Sequence, residues 1–177
     1  MGRLVPCVVF GVLAVAASCG VDGRAESADG WATVTDGPSG AQIDLPEAAE
    51  PSAGTAMAAN GPAVTLRNYT ASAAGGALEV GFNVLDTRGG HYDVDAGVEQ
   101  VATSLDGRIV SSRPMAVDGQ AAVDAEVSYG RGRLVLFRLV DADDHVLQPL
   151  VAGPVDRRDL VEETFDHLTS SLDVEAS

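Results

Sequence analysis

The sequence predicts an α+β fold: a mostly antiparallel β-sheet covered by two amphipathic helices, preceded by a lipoprotein signal peptide and a flexible tether. Three observations predict it. Short segments with an apolar residue at every second position fill most of the chain and are separated by Gly- and Asp-rich turns. Two segments, near Asp93 and Asp156, change to a helical period, so strands and helices do not alternate as in βαβ units. An uncharged apolar run over residues 4–17 reaches Cys19 and becomes polar at once.

The folded part begins with "WATVT" (31–35) as a first strand, "DGPSG" (36–40) as a turn, and "AQIDL" (41–45) as the returning strand. Residues 46–62, rich in Pro, Ala, Gly and Ser, read as a loop. A strand over 64–70 and a turn at 72–76 follow. Leu78, Val80, Phe82 and Val84 then alternate with Glu79, Gly81 and Asn83, giving one buried face and one open face. Val94, Val98, Val101, Ala102 and Leu105 share a helical face, with Asp93 or Asp95 as its N-cap. Extended structure resumes over 108–117, turns at Asp118-Gly119, and continues with Val123, Ala125, Val127 and Tyr129 facing one way and Asp124, Glu126 and Ser128 the other. "RLVLFRLV" (133–140) is apolar on both faces, as a central strand covered on both sides must be. "DADDH" (141–145) is a hairpin tip leading to a strand over 146–152, which Gly153-Pro154 stops. Asp156, with Asp159 in the capping-box position, starts a last helix whose inner stripe is Leu160, Val161, Thr164, Leu168 and Leu172.

The amino-terminal segment carries the clearest targeting signal. Arg3 gives it one positive charge, and its apolar run of about 14 residues falls short of the roughly 20 a spanning helix needs. Cys7 lies inside the part to be removed, so Cys19 has no disulfide partner. A free exported thiol is an oxidation liability. "AASC" (16–19) resembles the bacterial lipobox, with Ala16 where Leu is usual; the resemblance implies that Cys19 is the lipid-modified first residue of the mature protein, and the alternative is an ordinary signal peptide, since Ala16-Ala17-Ser18 also fits a small-x-small cleavage site. Two or three acyl chains at about 0.8 kcal/mol per buried CH₂ hold a domain without help from a basic patch. Residues 20–30 are small and polar, a tether with a root-mean-square span of roughly 18–20 Å. The domain plan is therefore a signal peptide at 1–18, lipidated Cys19 and tether at 19–30, and a single α+β domain at 31–177.

Charge narrows the partners. The chain has 177 residues, a formal charge of −15 and no lysine, and removal of residues 1–18 would make it one unit more negative. Such a chain repels phosphate backbones and anionic headgroups, so neither nucleic acid nor the lipid surface itself is its ligand. A hydrophobic content of 46% is too high for a disordered acidic tail.

No motif carries chemistry. His91, Asp93 and Asp95 could offer three ligands, but a capping aspartate in a polar loop accounts for them. The 141–145 stretch lacks the Gly and Glu that an EF-hand loop needs, Val146 and Ala152 standing in those places. Glu163 and His167 have the i, i+4 spacing of a weak surface pair. Gly37-Pro-Ser39-Gly40 is not a nucleophile elbow, and both phosphate-loop patterns are missing. The expectation is no catalytic residue, no metal and no cofactor, with Trp31 as a core anchor.

The stretch "GWATVTDGPSGAQIDLPEA" looks like the opening of small bacterial domains, and "VDGQAAVDAEVSYGRGRLVLFRLVDADDHVLQPLVAGP", followed by a helix ending "LTSSL", resembles the PsbP-like fold. Mycobacterial LpqN-type lipoproteins are similar. Gly119, Arg138, the Gly153-Pro154 stop and Leu168/Leu172 carry the resemblance. It implies an antiparallel sheet between helices over about residues 31–172, and a binding or assembly module instead of a catalyst; no site residue transfers with it. The expectation is a membrane-anchored, extracytoplasmic lipoprotein with a protein partner in the envelope. A lipid or small-ligand carrier, with a cavity between sheet and helices, is the alternative.

Overall fold

The computed structural model describes residues 30–46, 49–57, 63–88 and 90–174. The segment expected to be a signal peptide, Cys19, and all of the expected tether but Gly30 lie outside the described residues. Nine strands and two α-helices follow in the order β1 (Trp31–Thr35), β2 (Gln42–Pro46), β3 (Glu50–Met57), β4 (Ala63–Ala73), β5 (Leu78–Asp86), α1 (Val94–Ser104), β6 (Arg108–Val117), β7 (Gln120–Tyr129), β8 (Arg133–Ala142), β9 (His145–Pro154) and α2 (Arg158–Ser170). Strands β3 to β9 form one antiparallel sheet in the order β3-β4-β5-β9-β8-β7-β6, and β1 and β2 form a separate two-stranded ribbon. The fold class is thus α+β with a mostly antiparallel sheet, and each face of the sheet carries one helix.

The side-chain alternation assigns the two faces. On one, Leu78, Val80, Phe82, Leu134, Val140, Leu147 and Val151 pack with Ile43 and Leu45 of the ribbon and with Val161, Phe165 and Leu168 of α2. On the other, Val123, Ala125, Val127, Val135, Phe137 and Leu139 pack with Val98, Val101 and Ala102 of α1. Each large side chain fully buried here contributes about 1.5–3 kcal/mol. β8 is covered on both sides, as its doubly apolar sequence requires. Asp93 caps α1, accepting from the amides of Asp95 and Ala96 at 3.1 Å each. Asp118 (φ 52°) and Gly119 (φ 84°) both occupy the left-handed region that a two-residue type I′ hairpin demands.

Close approach explains one helical glycine. A Cβ built on Gly97 of α1 would stand 2.7 Å from Leu139 Cδ1 and 2.7 Å from the Tyr92 hydroxyl. Gly97→Val should therefore cost about 1–3 kcal/mol by overpacking. A thermal melt reads it, and an unchanged midpoint would mean that α1 does not sit this close to β8.

Four expectations need correction. Residues 46–62 are not all loop, since Glu50–Met57 forms the edge strand β3. Its residues from Glu50 to Thr55 are exposed on both faces, so no apolar alternation marks it, and Pro51 is tolerated because only one side is paired. The polar sides of β5 and β7 are not simply open. Asn83 and Gln148 are both buried, the Asn83 amide donating to Gln148 Oε1 at 2.9 Å, and Glu126 is buried beneath Arg158 of α2. No side chain caps α2, and Asp156 lies in a short 3₁₀ turn (Val155–Arg157) ahead of it. The inner stripe of α2 includes Phe165, while Leu160 is only half-buried.

Candidate functional site

One end of the sheet holds a solvent-open cleft of about 450 Å³ lined by His91, Gln120, Ala121, Asp141, Asp143 and Asp144. Each lining residue reaches it for a local reason. Asp143 and Asp144 form the tip of the β8–β9 hairpin, closed by the Ala142↔His145 pair, with Asp143 at φ 51°. Asp141 lies one residue beyond the last β7–β8 pair, Ala122↔Val140, on the face of β8 that also carries Phe137 and Leu139. His91 belongs to the connection from β5 to α1. Thr87 ties that connection to the hairpin tip, its amide donating to the Asp144 carbonyl at 2.7 Å.

The two segments that the sequence offers separately, His91 to Asp95 and Asp141 to His145, therefore meet. His91 Nδ1 stands 2.6 Å from Asp141 Oδ2, and the Tyr92 amide donates to the same oxygen at 3.3 Å. The histidine ring is 83% exposed and the aspartate side chain 8% exposed. Asp141 is thus not part of a solvated tip; Asp143 and Asp144 are. Asp141 Oδ1 is buried and accepts no hydrogen bond. Burial beneath α1, with Asp93 and Asp141 adding negative charge, pushes the Tyr92 phenol up to about 12. The Asp93 side chain caps the start of α1, Asp95 lies in its first turn, and among the described residues no three metal-binding side chains converge.

Other polar groups tie elements together. Asp36, fully buried in the β1–β2 turn, receives Arg67 Nε at 2.7 Å, Arg67 Nη2 at 2.9 Å, the Tyr69 hydroxyl at 2.9 Å, and the Ser39 amide and hydroxyl at 3.0 and 2.7 Å. Burial alone would raise its pKa, and these hydrogen bonds overcome that and bring it down to about 2. Arg138 makes a bidentate pair with Asp124 at 2.6 and 3.0 Å, and Arg158 of α2 pairs with Glu126 at 2.6 Å. The Arg158 hydrogen bond holds the Glu126 carboxyl below its usual range. His167 makes no contact with Glu163; its ring lies 4.1 Å from that of Trp31, which is a half-buried anchor. Ser39 serves Asp36 and is held in the turn.

Sequence reasoning missed Asp36 and the His91–Asp141 contact. Their partners lie 31 and 50 residues away, beyond any local spacing rule. A faint signal existed: Asp141 continues the inward alternation of Phe137 and Leu139.

No family model and no curated protein matches the chain. Solved structures do. The cyanobacterial PsbP (CyanoP) of Synechocystis superposes with a TM-score of 0.58, at 16% identity, over 89% of this chain and 97% of that one. The protein therefore has a PsbP-like fold. A Pseudomonas aeruginosa protein of unknown function aligns over 77% of this chain and 91% of that one, at 13% identity and a TM-score of 0.42, too distant to bear on function.

Proposed function

We propose that this chain is a membrane-anchored lipoprotein of the extracytoplasmic face whose domain is a non-catalytic binding or assembly module of the cell envelope. The lipobox-like "AASC" ahead of a polar tether supports the anchor half, and the PsbP-like fold is the observation that supports the module half. Two features of the molecule agree with it. The buried carboxylates Asp36 and Glu126 are used to join elements, each held by an arginine of another element, Arg67 of β4 and the half-exposed Arg158 of α2. The concavity at the sheet end is polar and open, a shape suited to a docked group more than to an enclosed lipid. The proposed division is residues 1–18 as signal peptide, 19–30 as lipidated Cys19 and tether, and 31–177 as the domain. The acidic charge favours a basic partner.

The test is Cys19→Ala. The wild-type chain should fractionate with membranes, begin at residue 19 and carry a diacylglyceryl mass. The variant should lose that mass, and its uncleaved leader is too short to anchor it stably. A wild-type chain found in the aqueous fraction with an unmodified thiol would sink the anchor. For the binding half, cross-linked membranes should yield one specific protein partner, and its repeated absence would count against the module reading.

A further inference from the structure

Asp141 Oδ1 is an anomaly within a fold that otherwise satisfies its buried polar groups. Among the described residues it is the one buried side-chain oxygen or nitrogen without a hydrogen-bond partner. Asp141 is 7% exposed, and it lines the cleft. An unmade hydrogen bond of this kind costs about 1–3 kcal/mol, and more for a charged group. The other carboxylate oxygen is engaged by His91 and Tyr92, so the side chain is held in place with its free oxygen unserved. The wall around it adds two more carboxylates, Asp143 and Asp144, and the Gln120 side chain. What is missing is a hydrogen-bond donor, and the acidic surroundings favour a positively charged one. A hard divalent cation would need six or more oxygen ligands, and no three metal-binding side chains converge there. A nitrogen cation can give one of its several donors to this oxygen and keep the rest toward the neighbouring carboxylates and the open side of the cleft.

We propose that this cleft receives the cationic side-chain head of an arginine or lysine on a protein partner, with Asp141 Oδ1 as its acceptor and Asp143 and Asp144 as its counter-charge. This rests on the binding-module reading above and gives it a contact point. His91 and the Tyr92 amide position the carboxylate through its other oxygen. Oδ1 is covered in the free protein, so its immediate neighbours must shift as the cation enters.

The test is a titration of the isotope-labelled full chain, in detergent, with Nα-acetyl-arginine amide, Nα-acetyl-lysine amide, the neutral Nα-acetyl-glutamine amide, and calcium. Either cationic amide should shift the backbone signals of His91, Gln120, Ala121 and residues 141–144 in a saturable way, and the neutral amide should not. Asp141→Asn keeps the oxygen that His91 and Tyr92 use and puts an NH₂ group toward the cleft. It should weaken binding about tenfold, the loss of one charge-assisted hydrogen bond. Asp143→Asn with Asp144→Asn, at the exposed tip, should weaken it about threefold without touching the core. Shifts scattered over the acidic surface and indifferent to Asp141→Asn would overturn the proposal. So would saturation by calcium with no response to the amides, or silence from all four probes. Capture from cross-linked membranes separates this from the parent reading. A partner recovered equally by wild type and Asp141→Asn overturns the cleft and leaves the module intact. Recovery reduced about tenfold in the variant supports both. A cleft that answers the amides in a chain that captures nothing overturns the partner half and leaves a site for free amines.

Discussion

Asp36→Ala is expected to destabilise the protein by about 3–5 kcal/mol, the usual cost of removing one partner of a buried ion pair. Total stabilities of about 5–15 kcal/mol make that a large fraction. The loss has two parts. Arg67 keeps its charge without a counter-ion, and the turn from Asp36 to Ala41 loses the acceptor for the Ser39 amide and hydroxyl. Urea unfolding measures the difference. Arg67→Met added to Asp36→Ala should return part of the loss, because the stranded charge is gone. A double variant as unstable as the two single losses added together would refute this account of the pair. The same carboxyl sets an acid limit. Its folded pKa, about 2, lies below the unfolded value of 3.8, so its contribution is fully present above about pH 4 and disappears as pH falls through 2. From the usual 1.36 kcal/mol per unit, that contribution is on the order of 2 kcal/mol. Tyr69 acts in the opposite direction. Burial and its hydrogen bond to Asp36 push the phenol up to about 12, so its contribution is present below pH 10 and is lost as pH rises through 12.

Phe82→Ala should cost about 3–5 kcal/mol, the range for a large aromatic removed from a packed core. Phe82 is fully buried in β5, lies under Tyr69 with ring centroids 6.0 Å apart, and faces Pro149 of β9 across the sheet. The cavity would remove the floor beneath the ring whose hydroxyl serves Asp36. Phe82→Ala and Tyr69→Ala should therefore be non-additive by about 0.5–3 kcal/mol in a double-mutant cycle. Strict additivity would mean that the ribbon's hydrogen-bonded anchor and the central sheet are energetically separate.

These two residues also mark where the sequence is readable. Phe82 sits in an unbroken apolar alternation, Leu78 to Val84, and that alternation writes the strand's register into the chain even though the opposite face is largely covered as well. Asp93 was equally open to reading, because capping is local and its hydrogen bonds span two and three residues. Asp36 was not. "DGPSG" has the composition of a solvated turn, and nothing near it announces Arg67 in β4. β3 left no trace because an exposed edge strand has no face to bury, so Ala, Gly, Ser and Pro serve it as well as valine would. The cleft was legible only in halves: each aspartate-rich segment was visible, and their meeting depends on the Thr87 contact with the hairpin tip. Phe165 follows Val161 by one helical turn, a position the 3.6-residue period already favours.

The ribbon has a mechanical meaning. β1 is bonded only to β2, and β2 is stitched to the chain's far end by the Gln42 and Asp173 backbone bridge at 2.9 and 2.8 Å, with Ser171 Oγ accepting from the Asp44 amide at 3.0 Å. Tension arriving through residue 30 would load β1 first, and Asp36 would hand it on to Arg67 and Tyr69 of β4. Under a steady tug the Gln42 and Asp173 bridge, the Asp36 anchor and the buried Ile43 and Leu45 would share the load, so the ribbon acts as a strain relief between residue 30 and the larger sheet.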